Sequence, residues 1–134
     1  MKLKLLINAL SCGALLLAGG TSFAGDIYVI SNSSVSLTAA DVRDIFLGEK
    51  QVSGSIKLVP VDNESQQTDF LEKAMKMEKN KYINVWVKKG FRDGLIAPQK
   101  KFNDDEIIKF VKNTPGAIGY IGAAPTGVNM VHKY

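Results

Sequence analysis

The stretch "VPVDNESQQTDFLEKAM", residues 59–75, decides the fold of this 134-residue chain. A short apolar run leads into a polar loop, and the loop leads into four apolar residues at helical spacing: Phe70, Leu71, Ala74 and Met75. That spacing predicts a helix with one buried stripe. A strand that enters a helix through a polar loop can present free backbone N–H groups to an anion. The loop therefore either holds an anionic ligand or only caps the helix.

The residues before this stretch predict a strand, a helix and a second strand. "DIYVIS", residues 26–31, has the β-branched and aromatic content of a buried strand. Thr38 then opens a helix in which Asp41 is the acidic half of a capping box, and Gly48 ends that helix. After a turn, residues 56–61 predict the second strand.

The residues after it predict two more helices and two closing strands. Asn80 begins a helix with one apolar face, and "LIAPQKK", residues 95–101, is typical of an exposed connector. Asn103 caps the last helix. "AIGYI", residues 117–121, and "VNMVHKY", residues 128–134, have strand composition. The order β, α, β, α, α, α, β, β predicts one α/β domain with a mixed sheet flanked by helices.

The first residues of the chain have the pattern of a secretory signal peptide. Two lysines precede an apolar run over residues 5–18, and Ser22 and Ala24 are the small residues that a signal peptidase reads. The apolar run is shorter than the roughly 20 residues that span a bilayer. We therefore expect residues 1–24 to be cleaved and residues 25–134 to form the mature domain in the periplasm.

Charge and residue types exclude several classes of function. Two of the basic residues lie in the predicted signal peptide, so the net charge falls from +4 to +2 on cleavage. This balance does not favour a nucleic-acid partner. The one histidine is His132 and the one cysteine, Cys12, lies in the cleaved segment, so neither a metal site nor a cofactor is predicted. No serine lies in a G-x-S-x-G motif, and we expect no enzyme activity and no catalytic residues.

The polar loop supplies the candidate ligand-binding residues. If the helix begins near Ser65, the N–H groups of Gln66, Gln67 and Thr68 have no intrahelical acceptor and can bind an oxyanion. The hydroxyls of Ser65 and Thr68 add donors, and the amide of Asn63 adds another. The plain alternative is that Ser65 caps the helix.

A second pair of candidates follows the first strand. Asn32 and Ser33 lie just after residues 26–31. Ligands of open α/β sheets commonly bind outside the carboxyl ends of the strands. This rule predicts that Asn32 and Ser33 join the ligand site, and the alternative for both is a solvated loop.

Several motifs occur together in one order along the chain: "LTAADVRDIFLGEK", "IKLVPVD", the spacing Phe70 to Trp86 to Phe91, and "TPGAIGYIG". Together they resemble the phosphate-binding-protein-like family, the periplasmic solute-binding components of phosphate ABC transporters. The match covers nearly all of residues 26–121. "DIFLG" and "PGAIGY" are the most specific parts of it.

The resemblance implies a type II periplasmic-binding-protein fold of which this chain forms a single lobe, and a role in binding phosphate or a related oxyanion. In the family, an Arg and a Ser-Gly-Thr-type turn bind the phosphate at a helix N-terminus. Thr68 falls on the Thr of that turn, Gln66 and Gln67 replace its Ser and Gly, and residues 59–75 contain no Arg. The resemblance therefore implies weak binding, or binding completed by a second copy of the chain or by an ABC permease.

The missing Arg and the missing second lobe also motivate an alternative from another class. The chain could retain the fold without binding a ligand and serve as a periplasmic adaptor for an envelope protein. The two hypotheses differ in what they require of the loop. Only the first needs residues 63–68 to contact a ligand.

Overall fold

The computed structural model describes residues 25–134, and the predicted signal peptide lies outside the described residues. Five strands form one sheet in the order β5-β4-β6-β1-β7, and two short strands form a separate hairpin. The strands are β1 Tyr28–Ser31, β2 Val52–Ser53, β3 Ile56–Lys57, β4 Val59–Asn63, β5 Gln99–Lys101, β6 Ala117–Ile121 and β7 Asn129–Lys133. β4 runs parallel to β5 and β6, whereas β1 runs antiparallel to β6 and β7.

Helices cover both faces of this sheet. They are α1 Ala39–Phe46, α2 Gln67–Phe70, α3 Lys79–Asp93 and α4 Asp104–Asn113, and α2 continues directly into a π-helical turn, Leu71–Met75. α1, α2 and α3 bury their apolar side chains in one cluster, and α4 buries Ile107 and Val111 in a second cluster. Successive residues of β1 enter different clusters, Val29 the first and Ile30 the second, because side chains alternate along a strand. The predicted α/β domain with a mixed sheet flanked by helices is confirmed.

Two helix starts follow the capping chemistry of the sequence. The carboxylate of Asp41 accepts a hydrogen bond from the Thr38 backbone N–H at 2.9 Å, which lowers the pKa of Asp41. The side chain of Asn103 accepts one from the Glu106 backbone N–H at 3.0 Å. Both predicted caps are confirmed. In the described part of the chain, no helix combines the length and the apolar character that crossing a membrane requires.

The prediction of an exposed connector over residues 95–101 is wrong at its end, because Gln99–Lys101 forms β5. This strand pairs in parallel with β4, from Val61 opposite Gln99 to Asn63 opposite Lys101. Its side chains are mostly exposed, so the sequence shows no apolar alternation there. The backbone pairing alone defines it as an edge strand.

Candidate functional site

The strand β4 carries a buried acid near its carboxyl end. Asp62 is only 2% exposed. Its Oδ1 accepts a hydrogen bond from the hydroxyl of Tyr120 at 2.7 Å, and its Oδ2 accepts one from the hydroxyl of Tyr82 at 2.9 Å. Burial raises the pKa of the Asp62 carboxyl, and the two hydrogen bonds partly oppose that rise.

The two tyrosines remain protonated donors to this acid. Burial raises the pKa of both Tyr82 and Tyr120, and the negative charge of Asp62 raises it further. They come from α3 and β6, so Asp62 links two elements that lie far apart in sequence. The arrangement joins α3 to the sheet through polar contacts inside an apolar cluster.

Asp62 makes the stability of the protein depend on pH. Because its pKa is higher in the folded chain, protonated Asp62 favours folding. That contribution is complete below the ordinary value of 3.8 and is lost as the pH rises through the raised pKa. We expect the free energy of unfolding of Asp62→Asn, measured relative to the wild type by urea denaturation, to increase as the pH rises.

The matched control is Asp93→Asn on the surface. A hydrogen bond from Arg92 lowers the pKa of Asp93, so ionised Asp93 favours folding. This variant should lose stability relative to the wild type as the pH rises, the opposite sign. The prediction would be contradicted if the difference in free energy of unfolding between Asp62→Asn and the wild type did not change with pH.

Asn63 organises the loop that follows β4. Its Nδ2 donates to Asp104 Oδ1 at 2.8 Å and to the Tyr120 carbonyl at 2.9 Å. Its Oδ1 accepts from the backbone N–H of Ser65 at 3.0 Å and from the Ser65 hydroxyl at 2.7 Å. Both amide hydrogens are therefore already donated within the protein, and Asn63 does not present the free donor that the sequence suggested.

The helix begins two residues later than predicted, and this changes the roles of Ser65 and Gln66. α2 starts at Gln67 with Gln66 as its N-cap residue, and the Ser65 hydroxyl contacts Asn63 instead of the helix. The interpretation of Ser65 as the cap is therefore wrong. The Gln66 N–H donates to the Asn63 carbonyl at 3.1 Å, so it is not free for a ligand, and the Gln66 side chain lies over the backbone of Gly122.

Three backbone N–H groups at the start of α2 have no acceptor among residues 25–134. They belong to Gln67, Thr68 and Asp69. The Thr68 side chain is exposed, and its hydroxyl forms no hydrogen bond within the same part of the chain. Of the predicted site residues, Gln67 and Thr68 thus keep free donors, with the acidic Asp69 beside them.

Asn32 and Ser33 lie at the opposite end of the strands from the loop after β4. β1 is antiparallel to β6, and Ser31 at the end of β1 is opposite Ile118. The same Ile118 is opposite Pro60 near the start of β4. The end of β1 is therefore level with the start of β4, and the expectation that these two residues join the loop after β4 is wrong.

The surroundings of Asn32 explain what it does instead. Its Nδ2 donates to the carbonyls of Val111 and Lys112 at 2.8 and 3.2 Å, and its Oδ1 accepts from the Ser34 N–H at 2.9 Å. These bonds tie the loop after β1 to the end of α4. Asn32 and Ser33 also line a separate pocket of about 280 Å³ with Lys112.

A cavity that the sequence did not reveal lies beside the loop after β4. It has a volume of about 310 Å³ and lies between α3 and the segment that leads into β5. Its polar walls are Asp62, Gln67, Lys79 and Lys100, and its largest apolar wall is Trp86. The sequence signal was the pair Ile83 and Val87, apolar residues four apart on α3 that also line the cavity and are about half exposed.

Within residues 25–134, no group of three or more His, Cys, Asp or Glu side chains has the arrangement of a metal site. His132 lies on β7, where its ring contacts that of Tyr134 at 4.6 Å.

Comparison with known proteins finds no family model and no curated protein that matches this chain. The resemblance to the phosphate-binding-protein-like family therefore depends on the motifs themselves.

Proposed function

We propose that this chain is a periplasmic, single-lobe protein of the phosphate-binding-protein type that binds phosphate or a related oxyanion weakly and serves phosphate transport. The observation that carries the proposal is the row of free N–H groups on Gln67, Thr68 and Asp69. N–H groups without acceptors at the start of a helix attract an anion because the helix dipole places partial positive charge there. The mixed sheet flanked by helices is compatible with one lobe of a type II periplasmic-binding-protein fold.

The binding free energy that the free N–H groups can supply favours weak binding by one copy of the chain. A helix N-terminus contributes about 0.3–1 kcal/mol toward an exposed anion, whereas micromolar affinity requires about 8 kcal/mol. The nearby cation Lys100 already pairs with Glu64 at 3.3 Å. Lys76, Lys79 and Lys81 line a pocket with Thr68, but all three are exposed, and exposed charge pairs contribute only about 0–1 kcal/mol each. Tight capture therefore requires further cations, supplied by a second copy of the chain or by an ABC permease.

Titration of the mature domain with phosphate, followed by calorimetry and ³¹P NMR, tests this proposal. We expect saturable binding at millimolar phosphate. Asp69→Asn removes a negative charge next to the free N–H groups and should tighten binding about 2- to 5-fold, the equivalent of about 0.3–1 kcal/mol. Thr68→Val, which loses the hydroxyl at nearly constant shape, should weaken it.

Asp44→Asn on α1 is the matched control, because it makes the same change in net charge at an exposed site on another helix. It should leave the affinity for phosphate unchanged, as should Ser33→Ala at the opposite end of the strands. No saturable binding by the wild type at about 10 mM phosphate, the range in which a site worth about 3 kcal/mol fills, would overturn the proposal. Native mass spectrometry with and without phosphate reports whether a second copy completes the site.

The adaptor function is a second candidate, and one surface favours it. Phe91 near the end of α3 and Ile96 just after it are each 90% exposed, and Val87 is 49% exposed one turn earlier. Val87 and Phe91 are four residues apart and therefore share one face of α3, and contiguous exposed apolar surface marks protein contact sites. Lys79 and Lys100 line the adjoining cavity, so an envelope protein that presents an acidic and apolar segment would complement this surface.

Cross-linking in intact cells tests the second candidate. Phe91→Ser combined with Ile96→Ser should abolish a cross-link to a membrane protein without lowering the melting temperature. Phe102→Ser is the control, because Phe102 is also largely exposed, at 75%, but follows β5. Equal loss of the cross-link in the control would contradict the assignment of this surface.

A further inference from the structure

We propose that the cavity between α3 and the segment leading into β5 binds a small apolar α-amino acid, a ligand that the oxyanion function does not include. Its volume, about 310 Å³, falls at the lower end of the roughly 300–1,000 Å³ that small-molecule sites occupy. Its lining combines a buried acceptor, a buried acid, a free cation and an apolar wall. An apolar amino acid is the smallest common ligand that matches all four.

The buried acceptor is the side chain of Gln67. This residue is 4% exposed, and its Oε1 has no hydrogen-bond donor among residues 25–134. A buried oxygen without a donor is costly, and native proteins rarely keep one without a reason. Gln67 is a wall residue of the cavity, so a ligand N–H group that reaches Oε1 from there would satisfy it.

Asp62 lies in the same wall and makes an ammonium the best donor. Each of its oxygens accepts one tyrosine hydroxyl, which leaves further lone pairs for a ligand. A ligand ammonium would therefore meet a carboxylate and an amide oxygen together. A neutral hydroxyl would gain less, because hydrogen bonds between charged partners are the stronger ones.

Lys79 supplies the opposite charge. It lies in the first turn of α3, is exposed, and has no ion-pair partner in the described part of the chain. Lys100, the other cation of the cavity, pairs with Glu64 at 3.3 Å. Lys79 is therefore the group that we assign to the ligand carboxylate.

The apolar wall holds the side chain of the ligand. Trp86 is 8% exposed, and its Nε1 donates to the Phe46 carbonyl at 3.1 Å, which fixes the orientation of the indole ring. Ile83 and Val87 on the same helix are about half exposed and extend this wall. An aliphatic side chain that covers them removes apolar surface from water.

Trp86 also provides the assay, because it is the only tryptophan of the chain. Its fluorescence is followed while the mature domain is titrated with three probes. L-leucine has the ammonium, the carboxylate and the apolar body, 4-methylpentanoate lacks the ammonium, and 3-methylbutylamine lacks the carboxylate. We expect a saturable change with leucine and an affinity at least about tenfold higher than for either analogue, which corresponds to about 1.4 kcal/mol.

Variants assign the two ends of the ligand. Lys79→Ala should weaken leucine and 4-methylpentanoate but leave 3-methylbutylamine unchanged. Lys81→Ala is the matched control. It removes the same charge from a position two residues further along α3, and Lys81 does not line this cavity. Gln67→Met, close in shape, should reduce leucine toward the affinity of 4-methylpentanoate.

Two results would overturn the proposal. One is the absence of any saturable change in Trp86 fluorescence with leucine up to about 10 mM, the range in which a site worth about 3 kcal/mol fills. The other is an equal loss of affinity in Lys79→Ala and Lys81→Ala. If Gln67→Met does not fold, Ala97→Phe serves instead, because Ala97 is an exposed residue of the cavity wall and the larger side chain should block leucine.

Discussion

Gly116→Ala is expected to lower the free energy of unfolding by more than about 4 kcal/mol, enough to unfold a marginally stable domain. Gly116 has φ of +80°, and a Cβ atom there would lie 2.0 Å from the carbonyl oxygen of Lys57. That contact is with the backbone, so no side chain can rotate to relieve it. The left-handed conformation adds about 1–2 kcal/mol for a residue with a side chain.

Gly116 also joins three parts of the fold, so its backbone cannot shift to relieve the contact with Lys57. Its N–H donates to the Ser34 hydroxyl at 2.8 Å, and its carbonyl accepts from the Val59 N–H at 2.9 Å. Gly54→Ala in the β2–β3 turn is the control, because its φ is +61° and no atom lies within 4 Å of the added Cβ. The control should lose about 1 kcal/mol. Equal losses in chemical denaturation would show that only the backbone angle matters.

Phe70→Ala is expected to lower the free energy of unfolding by about 3–5 kcal/mol. The Phe70 ring is fully buried and stacks on Tyr120 with centroids 3.8 Å apart and planes 4° apart. It also meets the edge of Phe46 at 4.9 Å. Truncation would leave a cavity between α1, α2 and β6 and remove both ring contacts.

The control for this prediction is Phe91→Ala, which removes the same atoms from a residue that is 90% exposed. Its stability in urea denaturation should change by less than about 0.5 kcal/mol. If Phe70→Ala lost no more than the control, the aromatic cluster would not be the centre of the core. Because Tyr120 also donates to Asp62, Phe70→Ala should in addition alter the pH dependence of stability.

The sequence predicts the parts of this fold that depend on neighbouring residues. The Asn103 cap and the pairing of Thr38 with Asp41 need only residues three apart, and both are present. Helical spacing also predicts the buried side chains of Phe70, Leu71 and Met75, although residues 71–75 form a π-helical turn and Ala74 is only partly buried. β5 is the exception, because an edge strand with exposed side chains has backbone pairing but no apolar pattern.

The candidate site depended on contacts that no local pattern encodes. Asp62 lies 20 residues from Tyr82 and 58 from Tyr120, and the sequence does not show that the two hydroxyls enclose it. The sequence presents Asn63 as a free donor, but its amide donates to Asp104, 41 residues away. The position of Asn32 does not follow from its sequence neighbours, because the direction of β1 is set by pairing with strands at the other end of the chain.

That pairing of β1 has a consequence for how the protein folds. β1 is the first strand in sequence, yet it lies between β6 and β7, the last two. The backbones of Ile27 and Tyr134 also exchange hydrogen bonds in both directions, at 3.3 and 2.8 Å. The central sheet therefore cannot close until residues 117–134 have been synthesised, and contacts this distant in sequence form slowly. Until then, a nascent chain of this topology stays open.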